Sequence, residues 1–413
     1  MSSTDTSSDM TVTSVPASLP ISARILFKLL ANLQFGKLTV LLPDQSRHHF
    51  GEAGSDLHAQ IQILDMAMCT QVFTGGDVAF GEAYFNGLWD TPDLVALLTL
   101  LAKNQKALMP AFYGTGWKLW LFKLRHFLRN NSKKQARKNI EAHYDLGNAF
   151  YRLWLDPSMT YSSALFNGDT SRNLTDAQHA KYDRILNEID PPAGGHILEI
   201  GCGWGGFAEY AASKRDVRVT GITLSSAQLE YSRKRIAAAG LEHKVSFELC
   251  DYRNAAARFG ATFDGIASIE MFEAVGEKYW TTFFNTVKKS LKPHARAAIQ
   301  VITIEESRFE QYRATSDFIQ QYIFPGGMLP SPERFSESAA TSGLQVTHPM
   351  QFGRDYAETL RRWLAQFDGE QPAITSLGYS EKFAKLWRFY LAYCIAGFEV
   401  ESINVGHYTL SHA

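Results

Sequence analysis

The stretch Ile197-Leu-Glu-Ile-Gly-Cys-Gly-Trp-Gly-Gly-Phe207 limits what this chain can fold into more than any other. Ile197 to Ile200 is a short apolar run that reads as a buried β-strand. Gly201, Gly203, Gly205 and Gly206 follow, and so many glycines let backbone swing to positive φ or pass close to a ligand. Helical spacing resumes from Phe207 to Ala212. A strand, a Gly-rich turn and a helix start together present free backbone N–H groups to a nucleotide-like molecule. NAD, FAD and S-adenosylmethionine (SAM) sites all use this device, so the turn alone defines a class of ligand.

From about Glu141 onward, apolar strands alternate with amphipathic helices, the pattern of an α/β domain with a parallel sheet. Expected strands are His196–Ile200, Arg218–Ile222, Val245–Glu248, Phe263–Ser268 and Ala297–Ile304, followed by Leu344–Pro349 and Ile403–Leu410. A dinucleotide-binding unit carries an acidic residue after its second strand, to bind ribose hydroxyls. Here that strand ends Gly221-Ile-Thr-Leu-Ser225 with Gln228 beyond and no carboxylate, which weakens NAD. Glu199 instead ends the first strand, where a carboxylate can meet the cationic amino group of SAM. Seven strands with intervening helices fit a class I SAM-dependent methyltransferase sheet (Rossmann-like). The helical stretches 305–325 and 355–398 are expected as insertions capping the active site.

A chain of 413 residues has room for about two domains of roughly 100–200 residues each. Residues 1–20, rich in Ser and Thr, read as a disordered tail without the apolar core of a signal peptide. Residues 21–105 read as a small N-terminal α+β domain. From Ile21 to Leu33 apolar residues recur at helical spacing, with Ile21, Ile25, Leu29 and Leu33 on one face, and a strand should run from Gly36 to Leu42. Gly75-Gly76-Asp77 should form a turn, and Thr91 or Asp93 should cap a helix over Leu94–Leu101. Residues 106–138 form a basic aromatic linker. No Asp or Glu occurs from Leu94 to Ile140, while Lys133, Lys134, Arg137 and Lys138 follow Trp117, Trp120 and Phe122. Such a stretch suits an anionic membrane surface, or a basic helix packed on the catalytic domain. Single-stranded nucleic acid is a third reading, but no recognition motif accompanies the run. The net charge of −1 gives no global attraction for nucleic acid, and Cys69, Cys202, Cys250 and Cys394 lack the spacing of a metal site. No apolar run approaches the roughly 20 residues that span a bilayer.

Further stretches carry a family resemblance. His143-Tyr-Asp-Leu-Gly-Asn-Ala-Phe-Tyr151, Trp154-Leu-Asp-Pro-Ser-Met-Thr-Tyr-Ser-Ser-Ala164, Met271-Phe-Glu-Ala-Val-Gly276 and Tyr322-Ile-Phe-Pro-Gly-Gly-Met-Leu-Pro330 are similar to the cyclopropane fatty acid synthases. The resemblance covers residues 139–413, expected as the catalytic domain, and the N-terminal module resembles the lipid-interacting domain of the phospholipid-acting members. It implies transfer of a methyl(ene) carbon from SAM to the double bond of an unsaturated acyl chain in a membrane phospholipid. A methyl-branched product and a soluble non-lipid acceptor are the alternatives. The implied cofactor contacts are Tyr161, Ser162, Gly201, Cys202, Gly203, Thr223, Leu224, Gln228, Asp251 and Tyr252, beside Glu199.

In the cyclopropane-forming members a Cys, a Glu, a His and a Tyr hold a bicarbonate ion that serves as base. By the resemblance Glu273 and Tyr356 take the Glu and Tyr positions, and Ser163 stands where the Cys is expected. The His position falls within Gln300-Val-Ile-Thr303, which has no His. Bicarbonate binding should therefore be weak, with Glu273 as an alternative base. Cys394 matches a further family cysteine, although a small apolar helix residue also suits core packing. The expected location is cytoplasmic, at the inner face of the membrane. Expected partners are an unsaturated phospholipid or fatty acyl substrate, an anionic membrane surface and a second copy in a homodimer, but no metal.

Overall fold

The computed structural model describes residues 19–52, 54–112 and 146–413. Most of the expected tail, the basic aromatic linker from residue 113 on, and the start of His143–Tyr151 lie outside these residues. The described chain forms two compact units, residues 19–112 with Tyr379–Val400, and residues 146–378 with Glu401–Ala413.

In the first unit, β1 (Lys37–Leu41) pairs antiparallel with β2 (Arg47–Gly51) and parallel with β3 (His58–Ile63), which is flanked by the short β4 (Trp89–Asp90). The helix Ile21–Leu30 is present. Of the expected face, Leu33 is buried just beyond the helix and Ile25 and Leu29 are half-buried, but Ile21 is 74% exposed, and within the helix Ala23, Phe27 and Leu30 are the buried residues. The main contact of that buried side is made by Phe27. Its ring packs edge-on against His48 and Phe50, both at 5.2 Å, and the largest side chain sets the rotation of the helix. The expected turn at Gly75–Asp77 lies inside the helix Ala67–Phe85, as a kink at Gly76 with φ 65° and ψ −143°. Asp93 caps the helix Leu94–Lys103 as expected, accepting from the Ala96 N–H at 2.8 Å.

Glu381–Glu399, expected among the active-site insertions, is a helix of this first unit. It packs on Leu94–Lys103 and Ala67–Phe85, with Phe389 against Phe80 and Tyr84.

Asn104 ties the unit together. Its carbonyl accepts from the Gln34 and Phe35 N–H groups at 2.7 and 3.0 Å, and its amide donates to the Phe35 and Leu100 carbonyls at 2.8 and 2.9 Å. Asn104 itself is 2% exposed, while Phe35 is 54% exposed, so water can replace part of what the side chain supplies. Asn104→Ala should cost about 1–3 kcal/mol, read as a lower denaturant midpoint.

The second unit is built on a seven-stranded sheet, in the order β10-β11-β9-β8-β5-β6-β7. The strands are β5 (Gly195–Ile200), β6 (Val217–Thr223), β7 (Val245–Leu249), β8 (Phe263–Ile269), β9 (Leu291–Ile304), β10 (Leu344–Gln351) and β11 (Ile403–His412). Each contains or closely overlaps an expected strand. Pairings from β7 through β9 are parallel, and β11 alone runs against its neighbours. Near-continuous burial along β5 and β6 fits strands covered on both faces. Because β6 lies on one side of β5 and β8 on the other, the strand order reverses at β5, where such sheets open a crevice beyond their carboxyl ends. Among the described residues no helix is long and apolar enough to cross a membrane.

Candidate active site

The Gly turn leaves the carboxyl end of β5. Gly201 and Cys202 donate their N–H groups to the Ile222 carbonyl of β6 at 2.9 and 3.0 Å, which pins the turn over the crevice. Gly201 has φ +87°, and a Cβ there would lie 2.8 Å from Met271 Cγ. Gly205, at φ +80°, precedes the helix Gly206–Lys214 and would collide with Ser232 and Phe247 if it carried a side chain. Backbone conformation and close approach thus both require glycine here.

Glu199, 3% exposed, supplies the charge. Its Oε2 is buried and has no hydrogen-bond partner among the described residues. Burial raises its pKa well above the ordinary carboxylate range, offset in part by Arg235 and Lys181. A buried carboxylate with an unused oxygen suits a cationic ligand group, so the residues fit SAM. Thr223 at the end of β6 donates to the Gln228 side chain at 3.1 Å, with Leu224 half-buried beside it. Asp251 follows β7, where its carboxylate is taken up by Arg253 at 2.6 Å, and Tyr252 is buried next to it. The Tyr161 ring lies 5.4 Å from Tyr151 and Trp154 and 5.5 Å from Trp363. Trp363 in turn meets Tyr356 edge-on at 6.1 Å.

A carboxylate absent from the sequence expectations lies between Ser163, Gln300 and Tyr356. Glu270 immediately follows β8 and has φ +50°, a costly conformation for a residue with a side chain, of the kind that clusters at functional sites. Its Oε1 accepts from the Ser163 N–H at 2.8 Å and from Gln300 Nε2 at 2.7 Å, and its Oε2 accepts from the Tyr356 hydroxyl at 2.6 Å. Ser163 thus contributes its backbone, because its hydroxyl donates to the Ala164 carbonyl at 2.9 Å. The helix Gly353–Gly369, which carries Tyr356, is stitched to this segment. Asp355 accepts from the Phe166 and Asn167 N–H groups, and Thr359 Oγ1 from that of Ala164.

Glu273, the expected carboxylate, is not in the Tyr356 group. Its Oε1 accepts from the Ile302 N–H at 2.6 Å, and its Oε2 is buried without a partner among the described residues. Burial, reinforced by the nearby Glu270 charge, raises its pKa to about 8. Burial also raises Glu270, but Tyr356, Lys181, Ser163 and Gln300 all oppose that shift. Of the two carboxyls, Glu270 has the donors that hold an anion, and Glu273 is the neutral one near pH 7. Ser162 accepts from Nζ of the fully buried Lys181 at 2.6 Å, and burial lowers the pKa of that amine to about 7, against the pull of Glu270, Asp156 and Glu199. Cys394 lies on the helix Glu381–Glu399 of the first unit and is not among these residues. The signal that could have found Glu270 is its place just past the carboxyl end of a parallel strand.

The reversal at β5, the glycine turn and the unpaired Glu199 define a class I SAM-dependent methyltransferase, with SAM as its cofactor. The family model for mycolic acid cyclopropane synthetase matches residues 131–408, and the chain belongs to that family. Tuberculostearic acid methyltransferase UfaA1 of Mycobacterium tuberculosis is 36% identical over 355 residues, covering 83% of this chain and 81% of that protein. Cyclopropane-fatty-acyl-phospholipid synthase of Escherichia coli (strain K12) is 34% identical over 349 residues, covering 84% and 86%. Among solved structures, mycolic acid cyclopropane synthase CmaA1 complexed with SAH and CTAB aligns with a TM-score of 0.61 at 31% identity, covering 66% of this chain and 97% of that one.

Proposed function

We propose that this protein transfers the SAM methyl carbon to the double bond of an unsaturated phospholipid acyl chain, giving a methyl-branched chain, with Glu270 as proton acceptor. The observation that carries the reading is the convergence of Tyr356, Gln300 and the Ser163 N–H on Glu270. In the cyclopropane synthase pattern these positions surround bicarbonate, and here they surround a carboxylate of the chain itself. Methyl transfer to an acyl chain is supported by the names of the tuberculostearic acid methyltransferase and of a probable fatty acid methyltransferase of Pseudomonas putida at 35% identity.

SAM, when bound, supplies an electrophilic methyl group on a sulfonium. The turn and Glu199 hold its polar end, and the rings of Tyr161, Trp154 and Trp363 exclude water from the reacting carbons. An alkene that gains a methyl becomes a carbocation, which aromatic faces stabilise. Glu270 then takes one proton. Loss from a neighbouring carbon leaves a methyl-branched alkene, whereas loss from the new methyl closes a cyclopropane.

The test incubates the protein with SAM and unsaturated phospholipid vesicles in buffer freed of carbon dioxide, with the acyl chains analysed by mass spectrometry. A branched chain one carbon heavier, formed at the same rate with and without added bicarbonate, is the expected result. A rate that collapses without bicarbonate would remove Glu270 from its role. A cyclopropane product would overturn the branching assignment, and no carbon gain on any unsaturated lipid would overturn the whole reading.

A further inference from the structure

Behind the carboxylate group stands a histidine that the reading above leaves unused. Gln300 is fully buried, and its Nε2 donates to Glu270 Oε1 at 2.7 Å, with the Ser163 carbonyl at 3.4 Å. Turned over, the amide would set its oxygen against those two acceptors and Glu270 would lose a donor. What holds the amide lies one strand away. His407 of β11 is the direct register partner of Gln300 of β9, and its Nε2 is 2.8 Å from Gln300 Oε1. Because Gln300 Nε2 is committed to Glu270, Oε1 accepts and His407 Nε2 must carry the hydrogen. The other ring nitrogen, Nδ1, is buried with no partner among the described residues, which suits a bare lone pair better than a second N–H. The Phe352 ring meets the imidazole edge-on at 4.8 Å.

From this geometry we infer that His407 is a positioning residue, which acts through Gln300 to keep a donor on the Glu270 carboxylate. The inference rests on Glu270 as proton acceptor. The charged groups facing His407 are Arg184 and Lys181, and with burial they hold it neutral, well below the ordinary histidine range. The titratable groups facing Glu270 are Lys181 and Glu273, with Tyr356 as a neutral donor. The histidine that the resemblance predicts in the Gln300–Thr303 stretch is therefore replaced by a glutamine steered by a histidine on the next strand.

The test uses the full chain. His407→Leu should lower kcat about tenfold and move the acid limb of the kcat–pH profile upward by roughly one unit, the equivalent of one charge-assisted hydrogen bond. KM for SAM should stay unchanged. His407→Gln, which keeps a donor, should restore both kcat and the limb. An unmoved limb in the Leu variant, or a Gln variant no better than Leu, would overturn the inference. The 15N spectrum of histidine-labelled wild-type protein is independent of variant folding. It should show the Nε2–H tautomer, unprotonated well below the ordinary histidine range, and an Nδ1–H tautomer would overturn the inference as well. Glu270→Gln separates the two levels, since full turnover in that variant would remove the reading beneath, whatever His407 does.

Discussion

Replacing Glu270 by Gln should lower kcat by roughly 10²- to 10⁴-fold, the usual cost of losing a positioned general base, while the dissociation constant for SAM stays within about twofold of wild type. Glutamine has the shape of glutamate, and with its oxygen toward the Ser163 N–H and Gln300 Nε2 its NH2 can donate to the Tyr356 hydroxyl, which turns to accept. The variant thus keeps the contacts but loses the negative charge and the proton acceptor. Glu273→Gln is the control, because its Oε2 has no partner to lose among the described residues, and it should keep most of its turnover. The direction with pH follows from the shifts. The working form of Glu270 is ionised and burial raises its pKa, so kcat should climb with pH through a range above that of an ordinary glutamate. Glu273 ionises near pH 8 and puts a second negative charge beside Glu270. An inflection near pH 8 should therefore be present in wild type and absent from Glu273→Gln. Stopped-flow or quenched assays of acyl-chain methylation across pH measure all three proteins. Full turnover in Glu270→Gln, with loss in Glu273→Gln, would reverse the assignment.

The second large effect is expected at Glu199. Glu199→Gln should raise the dissociation constant for SAM about 10- to 100-fold, since a hydrogen bond to a charged group contributes about 1.5–3 kcal/mol. The same change should raise the melting temperature of the SAM-free protein, because the carboxylate is buried at 3% exposure with one oxygen unpaired. Opposite signs in binding and stability are the mark of a residue kept for its ligand. Calorimetric titration with SAM and thermal unfolding of the same samples would measure the pair. Unchanged SAM affinity would remove Glu199 from the cofactor site.

The sheet was legible in the sequence because parallel strands covered on both faces leave short, nearly unbroken apolar runs, such as Ile197–Ile200 and Val219–Ile222. The Gly turn was legible for a related reason, since a turn that needs positive φ at Gly201 and Gly205 admits few other residues. The face of the first helix was legible only in part, because helical spacing offers two overlapping apolar stripes: Leu33 is buried, but Ile21 is exposed and Phe27 takes the central place. That place is set by Phe27 meeting Phe50, a contact outside the helix. Glu270 was missed because Glu273 sits in the Met271-Phe-Glu stretch that matched the family pattern. Only the fold shows that Tyr356, 86 residues away along the chain, reaches Glu270 instead. The pairing of Gln300 with His407 is more remote still, at a separation of 107 residues across two strands. Neither residue alone signals the other.

The polypeptide leaves the methyltransferase sheet after Gly378, contributes Glu381–Glu399 to the N-terminal unit, and returns at Glu401 to lay down β11, the strand that bears His407. The two units are sewn together by more than one crossing, so no single cut separates them. A fragment beginning near residue 139 would keep this helix but lose the Ala67–Phe85 and Leu94–Lys103 surfaces it packs on, including Phe80 and Tyr84 against Phe389. Its apolar face would then be bare just before β11, and such a fragment should self-associate.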